Sequence, residues 1–196
     1  MKMIAATRLG RAQRAMDSAV AFGNASEELF KQSEVEAPKE GGRDLFVVVS
    51  SDRGLCGGIH SSVSKKTRAA VAKLTKAGGE EPSVVVLGDK AKAQLSRALP
   101  KNLVLSFNQI GKGVPTYEDA LAITSTILKA DIPFDKINIV YNKYVSSLSF
   151  ESVISTVYSE KSLLEAPKFG AYEMDESLSK DLAEFSLTNS IFYTLV

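Results

Sequence analysis

The sequence predicts an α/β fold: a mostly parallel open sheet of about five strands, plus an antiparallel coiled coil of the N- and C-terminal helices. Three observations predict it. Runs such as Leu45-Phe46-Val47-Val48-Val49 and Val84-Val85-Val86-Leu87 are continuously apolar, as strands buried on both faces must be. These runs alternate with helical segments, which brings strands side by side in parallel through right-handed crossovers. Both ends of the chain carry apolar residues at heptad spacing, the pattern of helices that wind around each other.

The elements follow in order. Residues 1–36 read as one helix with a seam of Ala5, Leu9, Ala12, Met16 and Ala19. At ~1.5 Å per residue such a helix is roughly 50 Å long, more than a small domain covers. Gly23 and Asn24 weaken it, and Pro38 with Gly41-Gly42 ends it. The α/β domain spans 43–158. Its first strand is Leu45–Val49, followed by a helix from Ser61 to Lys76 with Val63, Val71 and Leu74 inward. Gly78-Gly79 stops that helix. Strands are predicted at Val84–Leu87, Leu103–Phe107 and Lys136–Tyr141, with a short helix from Ala91 to Leu99. Thr116 caps a helix to Lys129, and Glu118 and Asp119 favour its first turn through the helix dipole. Phe150–Tyr158 alternates as a fifth, edge strand. A linker over 159–173 leads to a helix over 174–196 with a seam of Leu178, Leu182, Phe185, Asn189, Phe192 and Val196. Neither seam is closed by a cap.

Composition bounds the function. In 196 residues, 44% hydrophobic and 24% charged content is the balance of a globular domain with a sizeable core. No apolar run approaches the ~18 residues that span a bilayer. The single cysteine, Cys56, excludes an internal disulfide, and a net charge of +1 argues against a nucleic-acid partner. Met1 to Arg14 is basic and amphipathic like a transit peptide, but its seam continues to Ala19, which reads it as mature helix.

The segment Ser50-Ser51-Asp52-Arg53-Gly54-Leu55-Cys56-Gly57-Gly58 leaves the first strand where open α/β sheets bind ligands. Gly54, Gly57 and Gly58 do not make a dinucleotide or phosphate-loop fingerprint, so the topology is Rossmann-like without a nucleotide site. A tight turn displaying Asp52 and Arg53 is the preferred reading, and a nucleotide-binding regulator using Gly54–Gly58, with Asp89 mimicking a ribose-binding acid, is the alternative. Cys56 and His60 are too few for a metal site, and no third group is evident to orient them as a nucleophilic dyad. Neither a metal nor a cofactor is expected. Lys2, Arg8, Arg11 and Arg14 precede the first acid, Asp17. In an antiparallel helix pair they face a stretch with no acid after Glu184, so their charge calls for an acidic outside partner.

Met1-Lys2-Met3-Ile4-Ala5-Ala6-Thr7-Arg8, Ser51 to Gly58, Gly88-Asp89-Lys90, Tyr141-Asn142-Lys143 and Ser186-Leu187-Thr188-Asn189 together resemble the gamma subunits of the F1 sector of ATP synthase. Ile59-His60-Ser61-Ser62 resembles the mitochondrial form. The resemblance runs through the whole chain in order. It implies a further helical segment before Met1 and a long helix beyond Val196. It implies a non-catalytic rotor whose terminal helices turn inside a ring of alpha and beta subunits, three of each. The α/β domain would be the foot, joined to small stalk subunits (delta and epsilon) and to the c ring, peripheral to the mitochondrial inner membrane on its matrix side. Carried over by motif, Lys2 and Arg8 fall near the acidic lever loops of beta, with Arg53 and Cys56 close by and Arg11 and Arg14 beside them. An adaptor that pairs its helices without turning is the further alternative.

Overall fold

β1 (Asp44–Val49) is buried along its whole length: Leu45–Val49 is apolar on both faces and both are covered, and the Asp44 carboxylate is held by Lys136 Nζ at 3.3 Å and by Asn138 Nδ2 at 2.6 Å. In the computed structural model, which describes residues 6–7, 9–20, 42–110, 112–146, 149–164 and 176–196, it is the central strand of a five-stranded sheet. The strand order is β3-β2-β1-β4-β5. β2 (Ser83–Leu87), β3 (Leu103–Phe107) and β4 (Lys136–Ser146) join it in parallel, and β5 (Ser149–Tyr158) closes the edge antiparallel to β4.

Alternation along the strands divides the core into two layers. Phe46, Val48, Val84, Val86 and Val140 face α2 (Ile59–Lys76) and α3 (Asp89–Ala98), where Val63, Val71, Ala91 and Leu95 meet them. Leu45, Val47, Val85, Leu87, Ile137 and Ile139 face the other way. Ala120, Ile123 and Ile127 of α4 (Tyr117–Lys129) cover them, with Leu187 and Ile191 of α6 (Glu176–Leu195). α4 begins in a capping box: Asp119 N–H donates to Thr116 Oγ1 at 3.2 Å, and Thr116 N–H donates to Asp119 Oδ2 at 2.9 Å. Among the described residues no helix is long and apolar enough to cross a membrane.

The structure departs from the sequence reading in three places. β4 does not stop at Tyr141 but runs to Ser146, because β5 continues to pair with it as a hairpin beyond the covered part of the sheet. The stretch read as a linker over 159–173 contains a short helix, α5 (Glu160–Leu164), tied to α6 by Ser179 Oγ donating to Glu160 Oε1 at 2.9 Å. The third departure concerns α6, which was assigned wholly to a coiled coil. Its Leu187 and Ile191 lie in the same core cluster as the sheet and α4.

The N-terminal helix, α1, is described over 9–20. Ala5, Lys2 and Arg8, the break at Gly23-Asn24, and Pro38 with Gly41 lie outside the described residues, as does most of the linker.

Candidate functional site

The turn after β1 lies at the carboxyl edge of the parallel strands, the edge where α/β folds take ligands. Here the chain fills that edge itself. Asp52 Oδ1 accepts from Asp89 N–H at 2.9 Å, and Asp52 Oδ2 accepts from Gln109 N–H at 2.5 Å. Asp89 is the first residue of α3, so a protein carboxylate holds the position where a phosphate would meet the helix N-terminus. The sequence reading displayed Asp52 outward; the structure makes it a clasp between three connections. Gly88 closes the same junction at φ +99°, pressed against Ser50 and Ser51.

His60 and Cys56 are each committed locally. The Arg53 carbonyl lies 2.9 Å from His60 Nε2, and a carbonyl only accepts, so Nε2 carries the proton. His60 Nδ1 then accepts from Ser50 Oγ at 3.0 Å. Cys56 Sγ donates to Gly54 O at 3.2 Å. Asn142, in the Tyr141-Asn142-Lys143 motif, donates to Ile59 O at 2.9 Å and accepts from Ser152 Oγ at 2.6 Å, tying the start of α2 to the hairpin.

Arg53 turns outward from this clasp. Its guanidinium donates to the Lys112 carbonyl at 3.0 Å, which ties it to the backbone of the next connection. Arg53 and Lys112 line a cleft of about 550 Å³ together with Arg11, Ala12 and Ala15 of α1, Val114, and Val196 at the end of α6. Three cations from three segments share this cleft, and none of its described lining residues is acidic. Arg11 and Arg53, expected at the site, are therefore brought together. Arg14 is not among the lining residues; its Nε donates back along the helix to Gly10 O at 3.1 Å. Cys56 does not line the cleft either. Lys112 was missed. Its only signal in sequence is a lysine between two glycines in a connection that leaves a strand at the same edge as Arg53.

The same cleft places the first half of α1 beside the end of α6, as antiparallel pairing requires. Along α1, Ala19 is buried and Met16 half-buried, while Leu9 and Ala12, expected in the seam, are exposed because no described residue packs over that turn of the helix. Along α6, Asn189 is buried and Leu182 and Phe192 are half-buried, but Leu178 and Phe185 are 53% and 47% exposed. Among the described side chains of α6, those buried besides Asn189 are Ser179, Ser186, Leu187, Thr188 and Ile191. Four consecutive buried residues, 186–189, span more than one turn, so the helix is covered on every side at that height. Tyr117 stacks edge-on against Phe192 at 5.8 Å, and burial together with the charge of Glu184 raises its phenol above the ordinary value.

Comparisons with known proteins agree with this architecture. A family model described as ATP synthase matches residues 1–196. The chain is 44% identical over 192 residues to a mitochondrial ATP synthase subunit gamma of Yarrowia lipolytica, covering 98% of this chain and 65% of that protein. It is 42% identical to the corresponding protein of Pichia angusta, over 97% of this chain and 70% of the relative. It is 34% identical to the F(1) complex gamma subunit of Rattus norvegicus, over 100% and 71%. The chain thus spans about two thirds of the length of these curated relatives. In a solved structure of the Tetrahymena thermophila mitochondrial ATP synthase central stalk and c ring, one chain matches with a TM-score of 0.78 at 22% identity. The match covers 100% of this chain and 89% of that one, and it speaks to the fold.

Proposed function

The chain belongs to the family of mitochondrial ATP synthase gamma subunits, and from that premise we propose that it is the central-stalk rotor of an F1Fo ATP synthase. It performs no bond chemistry itself. It carries rotation of the membrane c ring to the catalytic beta subunits, coupling proton flow to ATP synthesis or hydrolysis. Three alpha and three beta subunits surround its helix pair, and the sheet domain stands below as the foot with the small stalk subunits. The assembly sits on the matrix side of the mitochondrial inner membrane.

The observation that carries this reading is the cationic cleft where Arg11, Arg53 and Lys112 meet. A surface of one sign next to a projecting helix is suited to acidic loops that come and go. Exposed ion pairs contribute only about 0–1 kcal/mol each, so a turning shaft can exchange them without sticking at one angle. The small side chain of Ala19, which is buried, keeps α1 thin and lets it approach its surroundings closely. Torque is then carried by the stiffness of the paired helices, and the cations set register. Lys2 and Arg8 add two further cations ahead of Arg11 in the sequence.

The test is reconstitution of the complex in vesicles with Arg11→Glu and Lys112→Glu. ATP-driven proton pumping per ATP hydrolysed is expected to fall. A ratio equal to that of the unmodified complex removes the charge argument. An engineered crosslink between shaft and ring separates a rotor, which stops, from a static adaptor, which keeps working.

A further inference from the structure

Asp52 directly precedes Arg53, yet its carboxylate is engaged by backbone on two other connections. Oδ1 holds Asp89 N–H at the start of α3, and Oδ2 holds Gln109 N–H at 2.5 Å. The Asp52 N–H in turn donates to Ile110 O at 3.1 Å. Gln109 has φ +68°, a left-handed conformation that a glutamine keeps only where its surroundings hold it. A charge-assisted bond to its N–H is such a restraint. Three residues further along is Lys112, whose carbonyl accepts from Arg53 at 3.0 Å. The contacts therefore tie Asp52 to Gln109, and Lys112, three residues on in the chain, to Arg53, which follows Asp52 directly. On the far side Arg53 is held by its own carbonyl, which accepts from His60.

The geometry points to Asp52 as the positioning residue for the Arg53–Lys112 cation pair, the part of the cleft that meets an acidic partner. This rests on the cleft being that contact. Without the carboxylate Gln109 loses its charge-assisted restraint and the turn is left with the weaker Asp52 N–H bond to Ile110 O, so Lys112 shifts relative to Arg53 and the two charges stop acting at one point. The bulk of the core is untouched, since Asp52 contributes no apolar packing to either layer.

The test uses the assembled complex in vesicles carrying Asp52→Asn, Arg53→Ala, or both. It reads protons pumped per ATP hydrolysed, and the salt dependence of that ratio. Asp52→Asn keeps one acceptor oxygen but turns an amide nitrogen toward a backbone N–H, so one of the two clasps opens. Each single change is expected to lower the ratio, with the double no worse than Arg53→Ala alone. The departure from multiplicative effects should be about twofold or more, as for residues acting through one contact. The salt dependence of Asp52→Asn should flatten toward that of Arg53→Ala, because screening acts only on charges still in place. Effects that multiply in the double variant, or normal pumping by Asp52→Asn beside impaired Arg53→Ala, overturn the inference. Normal pumping by Arg53→Ala overturns the cleft reading first, and this inference with it. If Asp52→Asn fails to assemble, Asp52→Glu keeps the charge but displaces it by one methylene. It is expected to assemble and show the same non-additivity, and wild-type pumping by it overturns the inference.

Discussion

Replacing Gly88 by alanine puts a methyl group into the junction between β1 and β2. A Cβ there would lie 2.7 Å from Ser51 N and 2.8 Å from Ser50 C and Ser51 Cα, all backbone atoms. Neither side can withdraw freely. Ser50 N–H is bonded to Leu87 O at 2.8 Å, and Gly88 N–H to Phe107 O at 2.8 Å. The backbone itself is also unsuited to alanine, at φ +99°. Strain of that kind costs about 1–3 kcal/mol, and forcing a methyl into filled space about 1–3 kcal/mol more. The stiffer unfolded chain gives back about 0.4–1 kcal/mol. The net loss is about 3 kcal/mol, which for a chain of this size lowers the melting temperature by roughly 6–12 °C. Urea titration and thermal melting, followed by circular dichroism, measure it. Gly57→Ala is the control, since Gly57 has φ +65° but open space where the Cβ would go. It should lose only the conformational part, about 1–2 kcal/mol. Equal losses in the two variants would refute the steric argument, and an unchanged midpoint for Gly88→Ala would refute the whole account of the junction.

Two further expectations concern α6 and its neighbour. Leu187→Ala should destabilise by about 2–5 kcal/mol, as deletions in a packed core do, whereas Leu178→Ala on the exposed face should stay within about 0.5 kcal/mol in the same urea titration. Tyr117 is raised above its ordinary value of 10.0 by burial and then by Glu184, so the folded protein keeps this proton longer than the unfolded chain. That contribution is complete below the unfolded value and is lost as pH climbs through the folded one. Urea midpoints across the alkaline range should therefore fall more steeply for the native protein than for Tyr117→Phe, and parallel curves would count against it.

The strands of the central sheet were legible because Leu45–Val49 and Val84–Leu87 are apolar at every position, which few other environments tolerate. α4 was legible from Thr116 and Asp119, whose side chains bond the backbone as their spacing demands. α6 was harder. A heptad reading selects the largest apolar residues, and Leu178 and Phe185 are large but exposed. The covered face carries Ser179 and Ser186, whose small hydroxyl side chains allow close packing without looking like core. The extra length of β4 could not be read either, since Lys143 to Ser146 are polar or half-exposed and owe their extension to β5. At the cleft, Arg53 stood out through its motif, but Lys112 belongs there only once β3 is known to lie two strands from β1 with its carboxyl end on the same edge. Asp52 looked displayed because its partners are the backbone N–H groups of Asp89 and Gln109, which no side-chain pattern announces.

Leu187 and Ile191 complete a core layer whose other members lie between Leu45 and Val157. During synthesis one side of the sheet therefore waits for the last of its cover. At about 5–20 residues per second, the stretch from 157 to 191 takes roughly 2–7 s to emerge. For that interval Val47, Val85 and Ile139 have α4 beside them but no α6. A nascent chain at this stage offers a sticky half-covered surface, the kind of target that chaperones attending the ribosome or a translocation channel bind.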